Sequence, residues 1–202
     1  METIGSNQAI LAGRAAGKPR PSHTNHGVTY YLFPLEVERL SGAVDTLNLI
    51  CSEELLTACP VTPGESYRAQ GEVRSFNNRS GVGSRLVITF FAKTLEPGEG
   101  EQDNRLELTG VLCKAPNLRQ TPLGREICDL LLAVNRRYGR ADYLPCITWG
   151  ALARFCGRLE VGDTVRLTGR LQSRTYRKVL GDREEERTAF EISVLELEPA
   201  RE

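Results

Sequence analysis

Four aromatic residues in the second half of the chain stand among arginines. Tyr138 lies within Arg136-Arg-Tyr-Gly-Arg140, Tyr143 and Trp149 open and close one apolar segment, and Tyr176 follows Arg166, Arg170 and Arg174, with Arg177 and Lys178 directly after it. Tyrosine and tryptophan rings offer π-faces on which unpaired bases stack, worth about 1–3 kcal/mol per base. Guanidinium and ammonium groups between the rings meet phosphates and release counterions, a gain that falls with salt. Stacking needs no particular base edge, so this combination suits a flexible polyanion of any sequence. Taken singly, each ring would suit the core of a small barrel equally well. Trp149, which leads straight into a helical segment, is the one best suited to partial burial.

Nothing comparable points to catalysis. His23 and His26 sit in a polar turn with no plausible nucleophile to activate. The paired acids Glu53-Glu54 and the run Glu184-Glu185-Glu186 read as solvated faces. No Walker-type phosphate loop occurs. The 6 cysteines (Cys51, Cys59, Cys113, Cys128, Cys146 and Cys156) form no C-x-x-C pair, so neither a metal nor a cofactor is expected. They read as free, mostly buried thiols of a reducing compartment. No apolar N-terminal stretch follows Met1, and no run is apolar for long enough to cross a bilayer, so a cytoplasmic, nucleoid-associated location is expected. Lysine plus arginine equals aspartate plus glutamate at 26 each, so attraction to a polyanion must rest on local patches.

The elements that position these residues are written twice. Asn7-Gln-Ala-Ile-Leu-Ala-Gly13 returns as Asn104-Arg-Leu-Glu-Leu-Thr-Gly110, and Gly64-Glu-Ser-Tyr-Arg-Ala-Gln-Gly71 returns as Gly162-Asp-Thr-Val-Arg-Leu-Thr-Gly169, at nearly the same offset. A period a little under half the chain means two tandem modules. The division is a first module over 1–97, a polar linker over 98–103 and a second module over 104–202.

In the second module, alternating apolar residues predict strands over 104–110, Glu126–Asn135, Tyr143–Trp149, Thr164–Tyr176 and Thr188–Leu197. Asn117–Gly124, Arg136–Arg140 and Gly181–Arg187 carry turn composition. Glu126–Asn135 is apolar enough to be covered on both faces. Pro145 argues for an edge or a bulge. Leu152, Phe155, Cys156 and Leu159 form one helical stripe over Gly150–Leu159. Three strands, a short helix and two strands are the order of the OB-fold, a small Greek-key barrel. A small SH3-like barrel is the rival. The predicted fold class is all-β: two tandem five-stranded OB barrels, each with a short helix between strands three and four. Cys51–Cys59 is the helical segment of the first copy. On the fourth strand of the second copy, Arg166, Thr168, Arg170, Gln172, Arg174 and Tyr176 share one face, and no acid occurs from Thr164 to Leu180.

The second module resembles the bacterial single-stranded DNA-binding proteins. The likeness is carried by Asn104–Gly110, Thr121-Pro-Leu-Gly-Arg-Glu126, Leu132-Ala-Val-Asn-Arg-Arg-Tyr138, Cys146-Ile-Thr-Trp-Gly150 and Gly162–Tyr176. The resemblance implies base-stacking aromatics at Tyr138, Tyr143, Trp149 and Tyr176. Backbone contacts would come from Arg136, Arg137, Arg140, Arg170, Arg174, Arg177 and Lys178. It further implies sequence-tolerant binding and protection of single-stranded DNA in replication, recombination and repair, no enzyme activity, and a homodimer that assembles four barrels. The family's acidic tail for recruiting partners has no counterpart before Glu202, which argues against recruitment by that route.

The first module is similar in skeleton only. Trp149 is replaced there by roughly Cys51. Glu72 takes the place of Arg170 and should repel phosphate, so this copy should bind weakly or serve as a scaffold. Arg74, Phe76, Arg79 and Arg85 are its secondary candidate contacts. Two other readings remain open: a primosome-type protein-interaction module, in which the aromatics anchor a partner, and binding of single-stranded RNA.

Overall fold

The computed structural model describes residues 7–78 and 85–200. The first copy runs β1 (Asn7–Ala15), β2 (Arg20–Asn25), β3 (Val28–Glu38), β4 (Val44–Ser52), α1 (Glu53–Ala58), β5 (Ser66–Asn77) and β6 (Leu86–Pro97). The second runs β7 (Asp103–Leu112), β8 (Asn117–Gln120), β9 (Glu126–Asn135), β10 (Ala141–Trp149), α2 (Gly150–Cys156), β11 (Thr164–Leu180) and β12 (Arg183–Pro199).

Each copy closes on itself. In the first, β1 pairs antiparallel with β3 and β5, β3 pairs with β4, β4 runs parallel to β6, and β6 lies beside β5. In the second, β7 pairs with β9 and β11, β9 with β10, β10 in parallel with β12, and β12 with β11. The short strands β2 and β8 flank β3 and β9 from outside. Two closed five-stranded barrels with a helix after the third barrel strand are OB-folds, which removes the SH3-like alternative.

Chain contacts divide into two compact units. Among the described residues, one groups Gln8–Arg74 with Ile88–Arg105, and the other groups residues 106–200 with Asn7, 75–78 and 85–87. The second copy's unit thus includes the end of β5 (Ser75–Asn77) and the start of β6 (Leu86–Val87).

The alternation that predicts the strands is the alternation of burial. On β10, Asp142, Leu144, Cys146 and Thr148 point into the barrel, while Tyr143 and Trp149 point out. Four glycines of the sequence echo mark where neighbouring strands approach too closely for a side chain. A Cβ on Gly71 would collide with the carbonyl oxygen of Phe91, and one on Gly169 with that of Ser193. Gly13 and Gly110 face Glu36 and Ala133 in the same way. Replacing Gly169 by alanine is therefore expected to cost about 1–3 kcal/mol of stability, read as a lower denaturation midpoint in urea with an unchanged slope.

Several elements differ from their sequence expectations. Residues Asn117–Gln120 form strand β8 rather than turn, because β9 offers them a ladder. Strand β9 buries Ile127, Cys128, Leu130, Leu132 and Val134 but leaves Asp129, Leu131 and Ala133 half-buried, so only one face is fully covered. Pro145 is not on an edge strand. It stands one residue before the short parallel pairing of Cys146 and Ile147 with β12, where a missing donor is tolerated. Helix α2 stops at Cys156 and buries Ala153 and Cys156, leaving Leu159 beyond its end. The long β11–β12 ladder continues to Leu180↔Arg183, so the turn shrinks to Gly181-Asp182.

All six cysteines are free, and only Cys113 is exposed. Burial pushes the Cys51 thiol from 9.0 up to about 12 and Cys128 up to about 11. Both groups stay protonated in the fold where unfolded thiols ionise. Their stabilising contribution is complete below pH ~9 and is lost as pH rises through the raised values. At pH 8 one thiol, Cys113, is expected to react with a maleimide in the native protein, and the other five only after denaturation.

Candidate nucleic-acid interface

The β9–β10 connection carries the first aromatic. A tight turn, Arg137–Gly139, holds Tyr138 at φ 64, ψ 35, in the left-handed region. A bulky residue there is strained, and strain of this kind persists where function or surrounding structure demands it. The ring is 96% exposed. Arg137 and Arg140 are exposed beside it, and their side chains make no ion pair among the described residues.

Strand β10 presents the next two rings. Tyr143 is 46% exposed and Trp149 is 42% exposed, both on the outward face. Register connects this face to β11. Ile147 pairs with Ser193 on β12, and Ser193 pairs with Arg170 on β11, so one row crosses three strands. Continuing from Arg170 toward the hairpin, Gln172, Arg174, Tyr176 and Lys178 follow on the same side of β11. Because β10 is parallel to β12 and β11 is antiparallel to it, Tyr143 and Tyr176 lie toward the same end of this surface. Trp149 lies on the other side of the Ile147 row. Tyr176 is half-buried, with the Arg174 guanidinium 5.6 Å from its ring centroid and Arg187 directly across the ladder.

The arginines are less free than the acid-free run on β11 suggests. The hairpin lays the acids of β12 alongside it. Arg177 is 3.6 Å from Glu184, Arg174 is 3.5 Å from Glu191, and Lys178 faces Glu185 in register. Arg166 binds Glu107 on β7. Arg136 turns inward, its Nε 2.8 Å from the buried Asp142. Arg137 and Arg140 remain as cations next to a fully exposed ring. Among the described residues no group of three or more histidine, cysteine or acidic side chains could hold a metal ion. Likewise, no helix there is long and apolar enough to cross a membrane.

The profile of the single-strand binding protein family matches residues 103–199. Single-stranded DNA-binding protein 1 of Clostridium acetobutylicum is 36% identical over 88 residues, covering 40% of this chain and 80% of that protein. The chain belongs to the single-strand binding protein family. Single-stranded DNA-binding protein A of Bacillus subtilis is 38% identical over 87 residues, 40% of this chain, and the match spans about half (51%) of that relative's length. The likeness extends to the whole fold in one solved structure. The wild-type single-stranded DNA binding protein from Thermus aquaticus superposes with a TM-score of 0.77 over 98% of this chain and 94% of that one, at 23% identity.

The family match begins where the second copy begins, and the two copies differ at the residue that precedes the helix. Helix α1 is capped by Ser52, whose Oγ accepts the Leu55 N–H at 3.3 Å. Ser52 stands directly before α1 as Trp149 stands directly before α2, so the counterpart of Trp149 is Ser52 and not Cys51.

Aromatics occur elsewhere on this barrel. His23 stacks on Tyr30 at 4.9 Å, Tyr30 meets Phe91 at 5.5 Å, and the Arg74 guanidinium lies 4.9 Å over Phe91. The row left little trace in sequence because β2, β3, β5 and β6 each contribute one member. The tyrosines at the start of β3 were its only signal. His23 also lies 3.1 Å from the Ser22 hydroxyl, but both are exposed and no acid orients the imidazole among the described residues.

Glu72 sits beside this row and does not act as a bare anion. Burial opposes its ionisation, yet hydrogen bonds from Lys93 and Arg74 outweigh burial and hold its carboxyl below the usual value. One acid against two cations leaves the local sum positive. Of the remaining secondary candidates, Phe76 is 50% exposed and Arg85 is exposed, both within the second copy's compact unit, whereas Arg74 belongs to the other. Arg79 lies outside the described residues.

Proposed function

We propose that the chain coats single-stranded DNA without strong sequence preference, as a non-enzymatic protector of the strand in replication, recombination and repair. The second barrel makes the main contacts. Tyr138, Tyr143, Trp149 and Tyr176 stack bases, while Arg137 and Arg140, with Arg170, Arg174, Arg177 and Lys178, meet phosphates. Arg136 acts mainly from within, through Asp142. The observation that carries this reading is the exposure of Tyr138, Tyr143 and Trp149 around the outward face of one strand, where a small barrel would otherwise place polar residues. The His23–Tyr30–Phe91 row offers the first barrel a smaller contact surface of the same chemistry. Two chains pairing as a homodimer would bring four barrels to one strand.

Salt separates this reading from a protein-docking surface. Oligo-dT binding should weaken as salt rises from about 50 to about 200 mM, with a shallow slope because β12 acids already neutralise part of the arginine run. An affinity indifferent to salt, or binding of oligo-U equal to that of oligo-dT, would redirect the reading to an apolar protein interface or to RNA respectively.

A further inference from the structure

The Asp142 carboxylate is fully buried at the head of β10, between two of the ring-bearing segments. One oxygen accepts the backbone N–H of Ser75 at 2.6 Å. The other lies 2.8 Å from Arg136 Nε, at the start of the turn that carries Tyr138. The Ser75 hydroxyl in turn accepts the backbone N–H of Tyr143 at 2.7 Å. Ser75 itself is 7% exposed and comes from β5 of the first copy.

We infer that Asp142 and Ser75 are positioning residues of the nucleic-acid interface, fixing the Tyr138 turn and Tyr143 through a bridge supplied by the first copy. The inference rests on the site proposed above. A buried carboxylate is costly unless hydrogen-bond donors and a paired cation surround it, and here one oxygen takes a hydrogen bond while the other lies in an ion pair. Here the partners are the backbone of a foreign strand and the arginine that begins the binding turn. Moving any one of them moves the others. This gives the first copy a definite role in the second copy's site, independent of whether it touches DNA itself.

The fold contains its own control. Asp45, at the head of β4, is also fully buried and takes two hydrogen bonds from Arg39, 2.7 Å from Nε and 2.6 Å from Nη2. Both arginines begin equivalent turns, since the Arg39 N–H binds the Ala43 carbonyl and the Arg136 N–H binds the Arg140 carbonyl, each at 2.7 Å. The same structural device therefore occurs once beside the proposed rings and once away from them.

The test uses the full chain as wild type, S75A, D142N and D45N, each with and without a Tyr143→Trp reporter in a Trp149→Phe background. Measurements are made well below each melting temperature, so that all chains are folded. S75A is expected to weaken oligo-dT affinity about three- to tenfold and to raise the rotational freedom of the position-143 reporter in the free protein. D142N should weaken affinity about tenfold or more. D45N should lower the melting temperature comparably to D142N yet leave affinity and reporter anisotropy unchanged. If S75A and D142N lower only the melting temperature, the two residues are structural and the inference is overturned while the site stands. A wild-type chain that fails to bind oligo-dT overturns both.

Discussion

Replacing Tyr143 and Tyr176 together by alanine should weaken oligo-dT binding between about 30-fold and about 10⁴-fold, while the melting temperature stays nearly unchanged. The range follows from about 1–3 kcal/mol of stacking lost per base at two rings. The small stability effect follows from position. Tyr143 is nearly half exposed and Tyr176 lies on the outward face of β11 beside Arg174, so neither fills the barrel. The two residues are on different strands with β12 between them, which makes near-additive losses the expected outcome. Equilibrium titration of the single and double variants checks both the size and the additivity. Fluorescence anisotropy of a labelled oligo-dT is a suitable signal. A double variant that binds within threefold of wild type would place the energy elsewhere.

Tyr138→Gly should separate stability from binding. The backbone at position 138 is in the left-handed region, followed by Gly139 at φ 65. Glycine takes that conformation at little cost, whereas a β-carbon there costs on the order of 1 kcal/mol. The ring is almost wholly exposed and contributes little packing. Tyr138→Gly is therefore expected to leave the fold as stable or up to about 1 kcal/mol more stable, and to weaken oligo-dT binding by about 1–3 kcal/mol. Thermal melting and titration of the same sample give the two numbers. Stability gained together with affinity lost is the pattern of strain retained for function. Stability lost on removing the ring would mean that Tyr138 packs against the protein, and its assignment to the interface would fail.

Much of the fold was legible because its periodicities are local. The echo of Gly64–Gly71 in Gly162–Gly169 marks a turn and a strand crossing that recur in each barrel. The glycine at its end recurs because a neighbouring carbonyl leaves no room for a side chain. The outward placement of Tyr143 and Trp149 also follows from alternation alone. What sequence did not reveal depends on register between distant strands. The run Glu184-Glu185-Glu186 reads as a solvated tip until the ladder sets it against Arg177 and Lys178. Asp142 carried a usable signal, since it shares the inward alternation of Leu144 and Cys146, and an inward acid demands a cation such as Arg136. Ser75 carried none, because its partners are supplied by the other copy.

The sole tryptophan of the chain, Trp149, sits on the proposed surface, which makes its emission a direct probe of stacking. Titrating the full chain with oligo-dT at about 50 mM salt should quench that emission to a saturating plateau, and raising the salt should reverse the quench. Emission that stays constant while anisotropy of the labelled oligonucleotide reports binding would mean the strand takes another path across the protein.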